Sequence, residues 1–149
     1  MLILSILQDR GIKVKRHVLS GPTTELFPPD ACVKTLAVTF VPSRDVFLLV
    51  GLRLCDRLDF VKLAAAIGAE QQNLNTMDRS AVFGATGWPP GAIGPFSLSA
   101  QTSVWLDEAI FRAPTIYCGS GELNVVLEIS SVALLRLPRV KVAHVSADW

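Results

Sequence analysis

Apolar residues recur along this chain in short blocks separated by Gly, Pro and charged clusters, and the period within each block predicts its element. Residues 2–9 are mostly aliphatic and predict a short helix that stops toward Gly11. Ile12, Val14 and Val18 then fall at even spacing among Lys13, Lys15 and Arg16, which predicts a strand with one wet face. Prolines at 22, 28 and 29 make residues 21–29 a loop. Strands are expected over 33–40 and 46–52, joined as a hairpin around Pro42-Ser43-Arg44-Asp45. Asp59 is suited to cap a helix over 60–67, and Gly68 stands where the chain must turn left-handed to leave it. A second helix is expected from a cap at Asn75 or Thr76 to about Phe83. Strands over 103–106, 115–118 and 124–129 follow, then a short helix from a Ser130 or Ser131 cap to Arg136, and a last strand over 140–145. The elements make an α+β (mixed α/β) chain with no internal repeat, and its 149 residues fit one domain, 1–149.

Composition narrows the function classes. Half of the residues are hydrophobic, enough for one core, and 14 basic against 13 acidic side chains give a net charge of +1, so contact with a nucleic acid must come from a local patch. Arg10, Lys13, Lys15 and Arg16 form the candidate patch, with Arg136, Arg139 and Lys141 as possible additions. The apolar runs at 46–52 and 132–135 are far short of the roughly 20 residues that span a bilayer. No basic segment precedes the apolar start and no small-residue cleavage site follows it, so a cytoplasmic chain without membrane contact is expected. Cys32, Cys55 and Cys118 are odd in number and widely spaced, which predicts buried free thiols and neither a metal site nor a cofactor. His17 and His144 stand in no catalytic motif.

Two features carry candidate chemistry. Residues 87–96, Gly-Trp-Pro-Pro-Gly-Ala-Ile-Gly-Pro-Phe, cannot form a helix or a central strand and predict a stiff loop. A structural turn is the simpler reading, but such a loop can also present bare N–H groups to a substrate oxygen. The second feature is Lys34. Strand alternation puts it on the same face as Leu36, Val38 and Phe40, so it must snorkel out, pair with a carboxylate, or line a cavity where its charge meets a ligand.

Val33-Lys34-Thr35-Leu36, the helix capped by Asp59, the stretch from Thr86 to Phe96, Val104-Trp105-Leu106-Asp107-Glu108 and Cys118-Gly119-Ser120-Gly121 occur in an order that resembles the YbaK/prolyl-tRNA-synthetase-associated editing domain family. The resemblance covers most of the chain. It implies a mixed, largely antiparallel sheet flanked by helices, and an enzyme that hydrolyses amino acids wrongly esterified to tRNA. The family's catalytic lysine maps to Lys34, and its G-x-x-x-P loop to Gly91 through Pro95, with Gly91 and Gly94 supplying backbone donors. Thr35, Pro95, Phe96, Asp107, Gly119, Ser120 and Gly121 become the implied substrate-binding positions. Two departures stand out: the segment from Gly21 to Cys32 is short and proline-bearing where relatives carry an alanine-rich helix, and the histidine-proline pair of some members is missing beside Gly119.

The implied chemistry suits the inventory. An aminoacyl ester is already activated, so a positioned water or ribose hydroxyl and donors for the oxyanion suffice, with no triad, metal or cofactor. The expected partners are the acceptor end of a mischarged tRNA, tRNA-Pro among the candidates, and an aminoacyl-tRNA synthetase. Two alternatives stay open: a non-catalytic aminoacyl-tRNA-binding or synthetase-binding module of the same fold, and an unrelated hydrolase using Ser120, although Gly119-Ser120-Gly121 lacks the G-x-S-x-G spacing of a nucleophile elbow. Which amino acid is removed, and the oligomeric state, are not legible.

Overall fold

The computed structural model describes residues 2–20, 26–40, 46–97, 99 and 101–148. Helix α1 (Leu2–Asp9) leads into β1 (Val14–Val18), followed by the long strand β2 (Cys32–Phe40) and β3 (Phe47–Arg53). Next come α2 (Phe60–Ile67), the short strand β4 (Leu74–Thr76) and α3 (Arg79–Thr86). The chain closes with β5 (Val104–Asp107), a 3-10 turn (Glu108–Arg112), β6 (Thr115–Gly119), β7 (Val125–Ser130), a second 3-10 segment (Ser131–Arg136) and β8 (Val140–Ala143). One mixed sheet runs in the order β1-β7-β6-β2-β3-β5-β8, with β4 on β2. The pairings β1/β7, β7/β6, β2/β3 and β2/β4 are antiparallel, while β6/β2, β3/β5 and β5/β8 are parallel.

Strand alternation explains the two-sided core. Val33 and Ala37 of β2 join Ile116, Cys118, Leu127 and Ile129 under α1, whereas Val38, Leu48, Val50 and Leu52 meet Leu63 and Ala64 of α2 on the other face. β3 is therefore buried on both faces, which is why it reads as an unbroken apolar run. The start of α2 is as its sequence predicts: the Asp59 carboxylate accepts from the N–H groups of Val61 and Lys62 at 2.9 and 3.1 Å. Gly68 ends it at φ +74°.

Four expectations are corrected. Asn75 and Thr76 do not cap a helix; they pair with Thr39 and Val38 as part of β4, and α3 begins after Asp78 and runs on to Thr86. A ladder to an existing strand has overridden local capping propensity there. The segment after Ser130 is 3-10 rather than α-helical. Cys55 is an exposed thiol, while Cys32 and Cys118 are buried as expected. The final strand stops at Ala143, because residues 144–147 leave the sheet to strap β5 to the start of α2 through the Leu58 to Ser146 bridge and the bond from Asp59 N–H to Val145 O at 2.8 Å. The hairpin pairing of β2 with β3 is present, from Val33 with Arg53 to Thr39 with Phe47; its turn, at 42–45, lies outside the described residues, as do 21–25 of the first loop. No helix among the described residues is long and apolar enough to cross a membrane.

Candidate active site

β2 is the longest strand, and its two edges are used unequally. One is paired to β3 throughout, whereas the other meets β6 only at Cys32 and Val33 and is taken up by β4 only from Val38 onward. Beside this split, where the parallel strand β6 ends at Gly119, lies a cavity of about 360 Å³. A crevice at the carboxyl end of parallel strands is where open α/β sheets commonly receive ligands. Lys34 and Thr35 line it from β2, Cys118 and Gly119 from β6, and Gly91 and Ile93 from the Gly/Pro loop. Sequence positions far apart in the chain are thus brought to one wall.

Lys34 does not snorkel freely into solvent, and among the described residues it pairs with no carboxylate. Its Nζ donates to the backbone oxygens of Leu54, at 3.4 Å, and of Asp56, both in the turn that follows β3. That turn is held by Arg53, whose Nε and Nη2 grip the Asp56 carboxylate at 2.7 and 3.1 Å. The hydrogen bond to Asp56 raises the Arg53 guanidinium above its ordinary value. Next to Lys34, the Thr35 hydroxyl oxygen is buried and has no hydrogen-bond partner among the described residues. Such an orphan costs free energy unless a ligand or water completes it.

The loop divides into an open and a locked part. Gly91 is exposed on the cavity wall at φ +86°, with open space where a Cβ would stand. Among the described residues the N–H groups of Gly91 and Ile93 donate to no protein acceptor, whereas Ala92 N–H is committed to Pro89 O at 3.1 Å. Gly94 is buried: a Cβ there would run into Gly119 O and the Phe96 ring, and one on Gly119 would run into the oxygens of Ile93 and Ala92. The bond from Gly121 N–H to Ala92 O, 2.8 Å, and the Trp88 indole against Gly121 complete this seam. Glycine at 94 is therefore demanded by the neighbouring backbone, not by an approaching ester. Gly94→Ala is expected to destabilise the fold by about 2 kcal/mol through overpacking, against about 1 kcal/mol of conformational strain for Gly91→Ala; paired thermal melts check the order.

Several implied substrate positions lie away from the cavity wall. Pro95 and Phe96 are buried behind the loop, with Phe96 in the core. Ser120 is fully buried, donating to Val125 O at 2.8 Å and accepting from Glu122 N–H at 3.1 Å, so its hydroxyl organises the turn from β6 to β7. Asp107, also 0% exposed, accepts from the N–H groups of Val145, Ser146 and Ala109 and from the Ser146 hydroxyl, all within 3.1 Å. Gly121 borders the seam, and of the later turn Gly119 alone reaches the wall from the implied set.

The remaining titratable groups fall into place around this centre. Cys32 and Cys118 both line the cavity, and burial pushes both thiols up, keeping them protonated at neutral pH. His17 bonds Glu128 at 3.0 Å and packs edge-on against Phe27, which stacks on Tyr117 at 4.1 Å. His144 faces Lys62 and Asp148 at the C-terminal strap. Of the candidate basic patch, Lys13, just before the edge strand β1, and Lys15, on it, are exposed, Arg16 pairs with Glu122 at 2.9 Å, and Arg10 and Arg136 each bond the other's carbonyl. Lys141 is on β8, at the opposite edge of the sheet. Sequence reasoning missed Arg53, Asp56 and Glu122, the one acidic residue of the cavity wall among the described residues; a strand-end arginine three residues before a turn aspartate carries no periodic signal.

Comparison with known proteins identifies the family and the fold. The family model described as the aminoacyl-tRNA editing domain matches residues 20–137. The fold is similar to that of a hypothetical protein, APE2540, with a TM-score of 0.86 at 21% identity, covering 99% of this chain and 100% of that one. It is also similar to a candidate trans-editing enzyme for prolyl tRNA synthetase, with a TM-score of 0.79 at 21% identity, covering 98% of this chain and 95% of that one. No curated protein matches the chain by sequence. With the editing-domain model matched across most of its length, the chain belongs to the aminoacyl-tRNA editing domain family.

Proposed function

We propose that this protein is a trans-editing deacylase that hydrolyses the ester joining a mischarged small amino acid to tRNA, with tRNA-Pro the first carrier to test. The observation that carries the reading is the cavity that Lys34, Gly91 and Ile93 all line, the N–H groups of Gly91 and Ile93 having no protein acceptor among the described residues. The ester carbonyl enters there. Backbone donors face the oxygen on which charge develops, and Lys34 holds the polar end of the aminoacyl-adenosine. A water attacks the carbonyl carbon, positioned by the neighbouring ribose hydroxyl; the bond from that carbon to the ribose ester oxygen breaks, this oxygen takes up the proton lost by the water, and free amino acid and tRNA leave, so no protein nucleophile is required. Ser120 is not a nucleophile in this reading, because its hydroxyl is spent on Val125 O.

A panel of mischarged tRNAs, assayed under single-turnover conditions, tests the reading. Hydrolysis of at least one small aminoacyl ester is expected; binding with no hydrolysis of any would leave a non-catalytic module. Lys13, Lys15 and Arg10 near the β1 edge are proposed to hold acceptor-end phosphates. With about three phosphates engaged, log affinity for tRNA should fall against log salt with a slope of roughly −2 to −3. A flat response would remove these residues from the interface.

A further inference from the structure

We propose that Arg53 and Asp56 are positioning residues for Lys34, fixing the direction of its one free ammonium proton. The inference rests on the reading of Lys34 as the group that meets the substrate. An ammonium has three donors. Two are taken, by Leu54 O and Asp56 O, so a single N–H remains for a ligand acceptor, and its direction follows from where those two carbonyls point. Carbonyls in a turn point where the turn's backbone lets them, and this turn is pinned at three places. Leu54 N–H donates to Cys32 O at 2.8 Å, Asp56 N–H to Arg53 O at 3.0 Å, and the Arg53 fork grips the Asp56 carboxylate with two bonds.

The burial of this pair supports a role beyond surface charge. Asp56 is 3% exposed, and a carboxylate so placed must be matched by a partner of fixed geometry, which the planar guanidinium supplies and an ammonium does not. Neither Arg53 nor Asp56 lines the cavity, whereas Leu54 between them does. The pair therefore acts on a ligand only through the carbonyls that hold Lys34. Loosening the fork would let the turn carbonyls swing and the ammonium wander, a misplacement that costs turnover more than binding.

Arg53→Lys and Asp56→Asn test this, since both keep the side-chain size while breaking the two-bond grip. Trace acetylation with acetic anhydride, read by mass spectrometry, needs no activity: Lys34 labelling relative to the exposed Lys13, Lys15 and Lys141 should rise about threefold or more as its carbonyl anchors loosen. In deacylation, kcat should fall about tenfold with KM within about twofold, and in a Lys34→Ala background neither substitution should cost anything more. Unchanged Lys34 labelling in a folded variant, or losses that add to that of Lys34→Ala, overturns the inference. If the unaltered protein hydrolyses no mischarged tRNA, the proposed function fails, and the labelling still decides whether the pair positions Lys34.

Discussion

Lys34→Ala is expected to cut deacylation of the preferred mischarged tRNA by about 100-fold or more, the usual cost of losing a preorganised donor in a water-poor site. The fold should survive, because the side chain is half-buried at a cavity wall and the carbonyls of Leu54 and Asp56 can be re-solvated by water entering that cavity. Melting within about 3 °C of the unaltered protein would show that the loss is chemical. Lys34→Met sharpens the result: it keeps the aliphatic stem beside Leu52 but removes the charge, and should be as inactive as alanine. Full turnover by either variant sinks the assignment of Lys34.

Asp107→Ala should do the reverse. Its carboxylate is buried and satisfies three backbone N–H groups and one hydroxyl, and truncation would strand the amides of Val145, Ser146 and Ala109 without acceptors. Each buried orphan donor costs about 1–3 kcal/mol, so a loss of about 3–5 kcal/mol and a fall in Tm of roughly 10 °C are expected. Well below the new Tm, kcat should stay within about twofold, since no part of Asp107 lines the cavity. A collapse of kcat with Tm unchanged would instead place Asp107 against the substrate.

The contrast between Lys34 and Asp107 shows where sequence reasoning reaches. The misfit of Lys34 on its strand face was legible because alternation sets a charged residue among Leu36, Val38 and Phe40, and that signal is local; its role in the chemistry rests on the proposed function. The caps of α2 were legible for the same reason. Asp107 was not assignable, because a strand-end aspartate looks alike whether it faces a ligand or a strap 38 residues further on. β4 escaped because a three-residue strand owes its existence to the partner ladder on β2, not to its own propensity. The mutual fit of Gly94 and Gly119 is equally non-local: each glycine explains the other, and neither reveals this alone.

The uneven pairing of β2 has a consequence for how such a site can change its choice of amino acid. Between its last residue on β6 and its first on β4, from Val33 to Val38, the open edge measures about 16 Å at the usual strand rise. This aperture is framed at both ends by ladder hydrogen bonds, and the Gly94 to Gly119 seam bars the loop from backing away. Widening this frame would require pairing to be broken. Under the proposed function, size selection falls to side chains of the residues that line the cavity, Ile93, Leu123 and Val126 among them, and trimming or filling these is the expected route to a change of substrate.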